Sequence, residues 1–415
     1  MPSIPNAPWA RIDSFVGNRT AAALTAFRPC PICGADDARA VLELTDFQLY
    51  SDSATRPKRI DVRQVQCRAC FALYMNPVYT PYGFGVLFAQ AGQSYGTSDE
   101  RPQEQIDWLA NRGLVDAGRS VLDVGCYEGR FLEMLPDGVS KIGVDVDAPA
   151  IERGRARMAG QDVELIAGDF ETFQTGRRPD TMTMFHVLEH VSDPVAVLRK
   201  LRSLAHDGSR LVIEVPVVEE GATNDLVGFF SVQHATHFSA ASLRNCLARG
   251  GWAVVETAGE DLDYNARRVV AAPAGAALPL PRDVADTQAM LDAVIAWQRA
   301  ARDVGARAVA ALGDAPRGIL WGGGAHLECL YQRTSVFQQR PDREWVVVDS
   351  DALKHGTTWR GLAVLSPAAL PELAASGAPV VVSSYGSQTA IAAAARAALP
   401  EGHPVVELYD ELRVY

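Results

Sequence analysis

The sequence predicts an α/β protein in which a cysteine-rich N-terminal module precedes two parallel sheets wrapped by helices. Short β-branched runs alternate with helical patterns from about residue 100 to 273, and they do so again from GILWGG near residue 318 to the end. Two matched Cys-x-x-Cys pairs within the first 80 residues predict the module. We therefore expect three units, spanning 1–85, 86–275 and 276–415, with an Ala/Pro/Gly linker at 271–283.

Charge and composition narrow the class of protein. The chain has 415 residues, 48% of them hydrophobic, and 39 Lys+Arg against 50 Asp+Glu give a formal net charge of −11. A surface this acidic repels phosphate backbones, so we expect no nucleic-acid partner. The sequence contains neither a run of about 18 apolar residues nor a basic-then-apolar leader, so we expect no membrane partner and a cytoplasmic location. The oligomeric state does not follow from the sequence.

The two cysteine pairs predict a metal site. Cys30 and Cys33 form the first pair, and Cys67 and Cys70 form the second. Four thiolates at this spacing can close a tetrahedron around Zn²⁺, and Gly34 suits the turn after the first pair. The alternative is four unrelated buried or redox-active cysteines, which two matched pairs disfavour. A closed Cys₄ site has no open coordination position, so we expect a structural zinc.

A strand, a glycine turn and a helix at VLDVGCYEGRFLEML predict a ligand site at the end of the first parallel strand. We expect Gly125 and Gly129 to allow a ligand close to the backbone. Tyr127 replaces the middle glycine of a dinucleotide fingerprint, so a standard NAD pyrophosphate site is disfavoured. The next strand ends in Asp145, where an acid can accept two ribose hydroxyls, and a third ends in Asp169-Phe170, where an adenine can bind.

These elements, in this order, resemble the class I S-adenosylmethionine-dependent methyltransferases. DVGCYEG is similar to their glycine loop, GVDVD to their ribose-binding acid, GDF to their adenine contact and FHVLEHV to their fourth-strand segment. The resemblance implies a Rossmann-like core that binds S-adenosylmethionine. The cofactor-binding residues that it implies are Asp123, Gly125, Cys126, Gly129, Asp145, Val146, Asp169, Phe170 and His186. A Rossmann-like domain that has lost its cofactor is the alternative, and the acids disfavour it.

Clustered histidines predict the base of the reaction. Five of the eight histidines lie between residues 186 and 237, and imidazole suits proton removal because its pKa is near neutrality. We expect His234 to be the catalytic base, with His190 orienting substrate or base and His237 beside it. His206 lies in a polar turn and is expected at the surface.

The layout as a whole resembles the NDP-sugar C-methyltransferases, which join a zinc module, a class I core and a C-terminal Rossmann-like domain. That family implies a nucleotide-sugar substrate, a histidine at position 234 that removes a proton next to a keto group, and a tyrosine near the cofactor at Tyr95. Its usual Tyr-His-Glu-His run is replaced here by Ser231-Val-Gln-His234. O- or N-methylation of another small molecule therefore stays open, as does an inert zinc-ribbon scaffold.

The sequence of the C-terminal third contains a pattern similar to a dinucleotide-binding fingerprint. Gly322, Gly323 and Gly324 follow a predicted strand, and Asp349 ends the next one, but Leu327 replaces the last glycine of the fingerprint. An NAD-dependent activity is therefore a minor alternative, and we expect a mainly architectural domain. We further expect Arg267 and Arg268 to contribute to a pocket for an anionic nucleotide-sugar.

Overall fold

The computed structural model describes residues 24–49, 58–88, 100–220, 224–228, 230–259, 262, 265–275 and 284–412. Its strands form three main sheets, and the prediction of an α/β fold is confirmed. Among the described residues, no helix is both long and apolar enough to cross a membrane. Tyr95 lies outside the described residues, as does most of the predicted linker.

The first sheet is antiparallel, with the order β11-β4-β3-β2. Its strands are β2 (Ala38–Leu49), β3 (Lys58–Cys67), β4 (Leu73–Met75) and β11 (Thr236–His237), and a small ribbon beside it pairs β1 (Thr25–Ala26) with β5 (Val78–Tyr79). Strand β11 comes from the predicted histidine loop, since Thr236 pairs with Tyr74 and His237 with Leu73. The N-terminal module therefore holds the loop in its own sheet.

The second sheet has seven strands in the order β12-β13-β10-β9-β6-β7-β8. They are β6 (Ser120–Val124), β7 (Ser140–Asp145), β8 (Val163–Ala167), β9 (Thr181–Phe185), β10 (Arg210–Val215), β12 (Trp252–Ala258) and β13 (Arg267–Pro273). Strands β6 to β10 run parallel, and only β13 runs against its neighbours β10 and β12. The parallel arrangement places the carboxyl ends of the five strands at one edge, where open α/β sheets bind ligands.

Six helices accompany the first two sheets. They are α1 (Pro81–Phe88), α2 (Glu100–Ala110), α3 (Arg130–Met134), α4 (Ala148–Arg157), α5 (Pro194–Leu204) and α6 (Ala240–Arg249). Asp147 caps α4 and Asp193 caps α5 by accepting a backbone N–H in the first turn, and each helix has a proline at its start. These local signals explain why both helices begin directly behind the edge that carries the site.

The third sheet has the order β16-β17-β15-β14-β18-β19. It follows the long helix α7 (Val284–Leu312). The sheet contains β14 (Arg317–Trp321), β15 (Glu344–Val348), β16 (Thr358–Trp359), β17 (Leu362–Leu365), β18 (Val380–Val382) and β19 (Val405–Val406), with α8 (Ala325–Arg333), α9 (Val336–Gln339), α10 (Leu370–Leu373) and α11 (Gln388–Ala398) around it.

One apolar cluster joins the three parts of the chain. Phe47 and Ile60 of the first sheet, Phe230 of the histidine loop, Trp297 of α7 and Leu327 of α8 all belong to it, and each is at most 3% exposed. Burial of this continuous surface fixes the histidine loop between the N-terminal and C-terminal parts.

Candidate active site

The glycine turn lies at the carboxyl end of β6, as predicted. Gly125, Tyr127 and Gly129 all have positive φ, at 81°, 50° and 76°. A Cβ on Gly125 would lie 2.3 Å from Val187 Cγ2, and one on Gly129 would lie 2.6 Å from Met158 Cε. The glycines therefore permit close packing within the protein, where we had expected an approach to a ligand. Their packing brings the turn after β9, which contains Val187, against the glycine turn.

Two acids end adjacent strands at this edge. Asp123 is buried and accepts a hydrogen bond of 2.7 Å from Thr183 Oγ1, and burial raises its pKa to about 7. Asp145 accepts the backbone N–H groups of Tyr127 and Asp147, one on each carboxylate oxygen and both at 2.8 Å. Each oxygen of Asp145 keeps a lone pair, so the side chain can accept two further hydroxyl donors, as a ribose supplies.

The other predicted cofactor residues differ in exposure. Val146 is 53% exposed directly after Asp145, and it offers an apolar surface for a flat ligand. Asp169 accepts the Glu171 N–H at 2.8 Å, and Phe170 is half-buried against the core. Cys126 is 6% exposed, and its sulfur fills the space where Gly143 has no Cβ. The Cys126 side chain therefore belongs to the core, and only its backbone borders the turn.

His186 lies between two carboxylates. It directly follows β9 with φ 53°, its Nε2 is 3.2 Å from Glu214 Oε1, and its Nδ1 is 3.6 Å from Glu189 Oε1. Burial disfavours the charged ring, but the two carboxylates outweigh burial and raise the pKa of His186 to about 9. His186 is therefore a cation near neutral pH, which makes it a charge partner of the two glutamates.

His190, His234 and His237 form a row of rings. The His190 and His234 ring centroids are 4.9 Å apart with planes at 73°, and those of His234 and His237 are 5.9 Å apart. His190 Nδ1 lies 3.1 Å from the Gln233 carbonyl oxygen. His237 is buried beside Phe230, whereas His190 and His234 are partly exposed. The structure thus brings together the three histidines that we predicted from two distant segments.

Sequence reasoning missed Glu189, which lies among these histidines. Its side chain is 1% exposed, and the nearby histidines lower its pKa to about 2 although burial acts in the opposite direction. A glutamate between Leu188 and His190, in an otherwise apolar run after a buried strand, was the signal that could have identified it.

The expectation for Arg267 and Arg268 requires a correction. Arg268 is 1% exposed and donates to both Glu214 and Glu104, and Arg267 pairs with Glu220. These ion pairs use the guanidinium groups within the protein, and Arg268 neutralises the buried Glu214, so Arg268 has no surface with which to bind a diphosphate.

The four predicted cysteines converge in the N-terminal module. All four sulfurs lie within 4.8 Å of one another, with Cys30 to Cys70 and Cys33 to Cys67 each at 3.6 Å. Tetrahedral Zn–S bonds of about 2.3 Å require sulfurs roughly 3.8 Å apart, so the thiols fit zinc. Gly34 N–H donates to the Cys30 carbonyl with φ 77°, as we predicted for the first turn. Phe71 makes the same bond to Cys67 at φ 64°, so the two knuckles match.

The module also contacts the histidine loop directly. Arg28 donates to the carbonyl oxygens of Ala235 and Ser192, and Tyr79 OH donates to the Val232 carbonyl at 3.0 Å. Together with the pairing of β4 with β11, these bonds fix the loop on both sides of His234.

His326 and Tyr385 of the C-terminal domain both form hydrogen bonds within the protein. His326 is buried, with Nδ1 3.1 Å from Ser383 Oγ and Nε2 2.6 Å from Tyr409 OH. Tyr385 OH donates to Asn224 Oδ1 at 3.0 Å. Both side chains therefore join the C-terminal domain to itself or to the segment before the histidine loop.

A family model described as a methyltransferase domain matches residues 98–257. The chain therefore carries a methyltransferase domain over these residues. The ubiquinone biosynthesis O-methyltransferase of Aeromonas salmonicida is 31% identical to the chain over 114 residues, which are 26% of this chain and 48% of that protein. The protein of the same name from Pseudomonas paraeruginosa is 32% identical over 114 residues, 26% and 49% of the two chains. The chain thus spans about half the length of these relatives.

Solved methyltransferase structures are also similar to the chain. The 1,6-didemethyltoxoflavin-N1-methyltransferase of Burkholderia thailandensis is 18% identical, with 49% of this chain and 96% of that chain covered and a TM-score of 0.39. An S-adenosylmethionine-dependent methyltransferase from Clostridium acetobutylicum is 10% identical, with 44% and 94% covered and a TM-score of 0.36.

Proposed function

We propose that the protein transfers a methyl group from S-adenosylmethionine to a small-molecule acceptor. The proposal is carried by the contact between two turns: the histidine turn after β9 packs on the glycine turn after β6 through Val187 and Gly125. Residues suited to a nucleoside and residues suited to proton removal therefore adjoin at one edge of the sheet. When bound there, S-adenosylmethionine supplies an electrophilic methyl group.

Asp145, Val146, Asp169 and Phe170 would hold the cofactor. Asp145 is buried with one spare lone pair on each oxygen, which suits a ribose diol. Val146, directly after β7, and Phe170, after β8, offer apolar surface beside Asp145 and Asp169 in the chain, which suits an adenine. The preorganised backbone bonds to Asp145 keep its carboxylate in place before a ligand arrives.

The first candidate reaction is C-methylation next to a keto group of a nucleotide-linked sugar. His234 would take the proton α to the carbonyl, which leaves the electron pair of that C–H bond in an enolate, and bound S-adenosylmethionine would supply the methyl group for the new C–C bond. His190 contacts the His234 ring and orients it. The resemblance of the layout to the NDP-sugar C-methyltransferases supports this candidate.

The second candidate is methylation of an acceptor oxygen. Ser231 and Gln233 stand where the C-methyltransferase pattern has tyrosine and glutamate, and a carboxylate, Glu189, instead lies among the histidines. This combination favours activation of an oxygen atom. The similarity of the matched segment to ubiquinone biosynthesis O-methyltransferases is consistent with it.

We further propose that the three predicted units, 1–85, 86–275 and 276–415, act together, with a structural zinc in the first. Zinc bound to the four cysteines would fix β3 and β4, and β4 carries β11 and His237. Replacing Cys67 with Ser should therefore lower the zinc content and the yield of folded protein together. Normal stability without bound metal would contradict this role.

Calorimetry of the full chain with S-adenosylmethionine and S-adenosylhomocysteine tests the proposed function. We expect one adenosyl ligand per chain, followed by methyl transfer to a ketosugar nucleotide or a hydroxylated acceptor that is abolished in His234→Ala. The matched control is His206→Ala, because His206 pairs with Asp180 in a turn outside the site. A folded, zinc-loaded protein that binds neither adenosyl ligand would refute the proposal.

A further inference from the structure

No donor in the described part of the chain reaches the buried Glu189 carboxylate. Its side chain is 1% exposed, and neither oxygen accepts a hydrogen bond from any residue that the structure describes. The nearest histidine nitrogens, His186 Nδ1 at 3.6 Å and His190 Nε2 at 3.8 Å, are beyond hydrogen-bonding distance. A buried carboxylate in this condition has lost its hydration without replacement, so its oxygens favour a cation between themselves and their neighbours.

His186 fills this role only in part, because its ring is shared with Glu214. Its Nε2 is closer to Glu214, at 3.2 Å, than its Nδ1 is to Glu189. Glu214 also accepts hydrogen bonds from Arg268 and Gln105, and the Arg268 guanidinium balances its charge within the protein. Glu189 has no comparable arginine or lysine among the described ion pairs, and its other neighbours are His190 and His234.

His190 is oriented as a ligand. The Gln233 carbonyl, 3.1 Å from Nδ1, can only accept, so Nδ1 carries the proton of this bond. In the neutral ring, Nε2 then has the lone pair, and this nitrogen lies 3.8 Å from Glu189 Oε1. Metal-binding histidines commonly use one ring nitrogen to donate to a backbone carbonyl in this way.

We propose that Glu189, His190 and His234 form a binding site for a divalent transition-metal ion. One ligand atom from each residue lies within 4.8 Å of the others. Two ligand atoms that share an ion at about 2.1 Å each lie at most about 4.2 Å apart, so small side-chain movements close the site. Two imidazoles and one carboxylate suit Zn²⁺, Mn²⁺ or Fe²⁺, whereas Mg²⁺ and Ca²⁺ prefer oxygen ligands throughout.

Three protein ligands leave at least one coordination position open, as in catalytic metal sites. An acceptor oxygen bound there would be polarised and would lose its proton more readily. This role rests on the proposed methyl transfer and favours its second candidate, because an ion on His234 occupies the lone pair with which His234 would remove a proton from carbon. Binding of the ion itself does not depend on the proposed function.

Titration of the zinc-loaded full chain with Mn²⁺ alone tests the site. Thiolates of the cysteine cluster select softer ions, so Mn²⁺ that binds to the zinc-loaded chain occupies the second site. Binding is measured as the loss of the paramagnetic signal of free Mn²⁺. We expect one Mn²⁺ per chain, at least tenfold weaker binding in Glu189→Gln and in His234→Ala, and unchanged binding in His206→Ala. His234 is partly exposed, so His234→Ala should fold even if the buried Glu189 variant does not.

The outcomes separate the two proposals. Failure of the wild-type chain to bind Mn²⁺, or equal binding by wild type and His234→Ala, would overturn the metal site. S-adenosylhomocysteine binding is measured on the same samples without Mn²⁺. Adenosyl binding without Mn²⁺ binding would leave the proposed function in place and remove only the site, whereas Mn²⁺ binding without adenosyl binding would do the reverse.

Discussion

The protein contains two glycine turns with the same pattern of hydrogen bonds to an acid, one in the methyltransferase domain and one in the C-terminal domain. In the first, Tyr127 N–H donates to Asp145 Oδ2 at 2.8 Å and Asp147 N–H donates to Oδ1 at 2.8 Å. In the second, Gly323 N–H donates to Asp349 Oδ2 at 2.7 Å and Asp351 N–H donates to Oδ1 at 2.8 Å. Both acids end the neighbouring parallel strand.

The two turns differ in what else reaches the acid. Lys354 Nζ lies 3.0 Å from Asp349 Oδ2 and neutralises that carboxylate within the domain. No described lysine or arginine pairs with Asp145. Behind the second turn, His326 is buried between Ser383 and Tyr409, so its nitrogens are occupied as well. The backbone motif is shared, and side-chain partners decide whether its acid stays available to a ligand.

This difference explains why a fingerprint alone is weak evidence for a dinucleotide site. The strand, glycine turn and acid satisfy the packing of any such unit, because the carboxylate accepts the backbone N–H groups of the turn whether or not a nucleotide is present. An available lone pair, and apolar surface beside it, are the additional requirements of a binding site.

The largest expected effect is on cofactor binding. Asp145→Asn should weaken S-adenosylhomocysteine binding at least about 100-fold, because two charge-assisted hydrogen bonds contribute about 3 kcal/mol or more. Calorimetry measures the change in Kd. The matched variant Asp349→Asn should leave the Kd within about twofold, and equal losses in both variants would break the comparison.

Asp349→Asn should instead lower the free energy of unfolding by about 3 kcal/mol. The substitution leaves Lys354, whose side chain is 16% exposed, without its carboxylate. Urea denaturation of the zinc-loaded chain measures the effect, and Asp349→Asn combined with Lys354→Met should recover part of it. A stability equal to that of wild type would show that this ion pair is not structural.

His326 should make the protein sensitive to acid. Burial lowers its pKa to about 4, so the folded protein keeps the ring neutral while the unfolded chain gains a proton below about 6.5. The stability that depends on neutral His326 is complete above pH 6.5 and falls as the pH drops toward 4, by at most about 1.4 kcal/mol per pH unit. Thermal unfolding of wild type and His326→Gln from pH 7 to 4 should show a steeper loss in wild type.

Substitution of His186 should have the smallest effect on stability, and the pH dependence should be opposite to that of His326. Its pKa is raised to about 9 against an ordinary value near 6.5. The stability that depends on the charged ring is therefore complete below about pH 6.5 and is lost as the pH rises through 9. The melting temperatures of wild type and His186→Gln should converge between pH 7 and 10, and a difference independent of pH would contradict the charged state.

Much of the site could be predicted from local patterns. The acids near the ends of the strands, Asp123, Asp145 and Asp169, could be located because the sequence shows short β-branched runs that alternate with helical patterns. The four cysteines of the proposed zinc site could be grouped because each knuckle is a four-residue turn with its own hydrogen bond. The packing of Val187 and Met158 against Gly125 and Gly129, and of Cys126 against Gly143, was not predicted, since these neighbours come from other elements.

The sequence by itself determined the α/β class, the order of elements at the sheet edge and the two cysteine knuckles, because these depend on residues that are close in the chain. Only the tertiary structure decided that Arg268 forms ion pairs with Glu214 and Glu104, that β11 joins the N-terminal sheet, and that Glu189 lies close to His234. Availability of a charge depends on partners far away in sequence, and no local pattern records which partner a buried side chain finds.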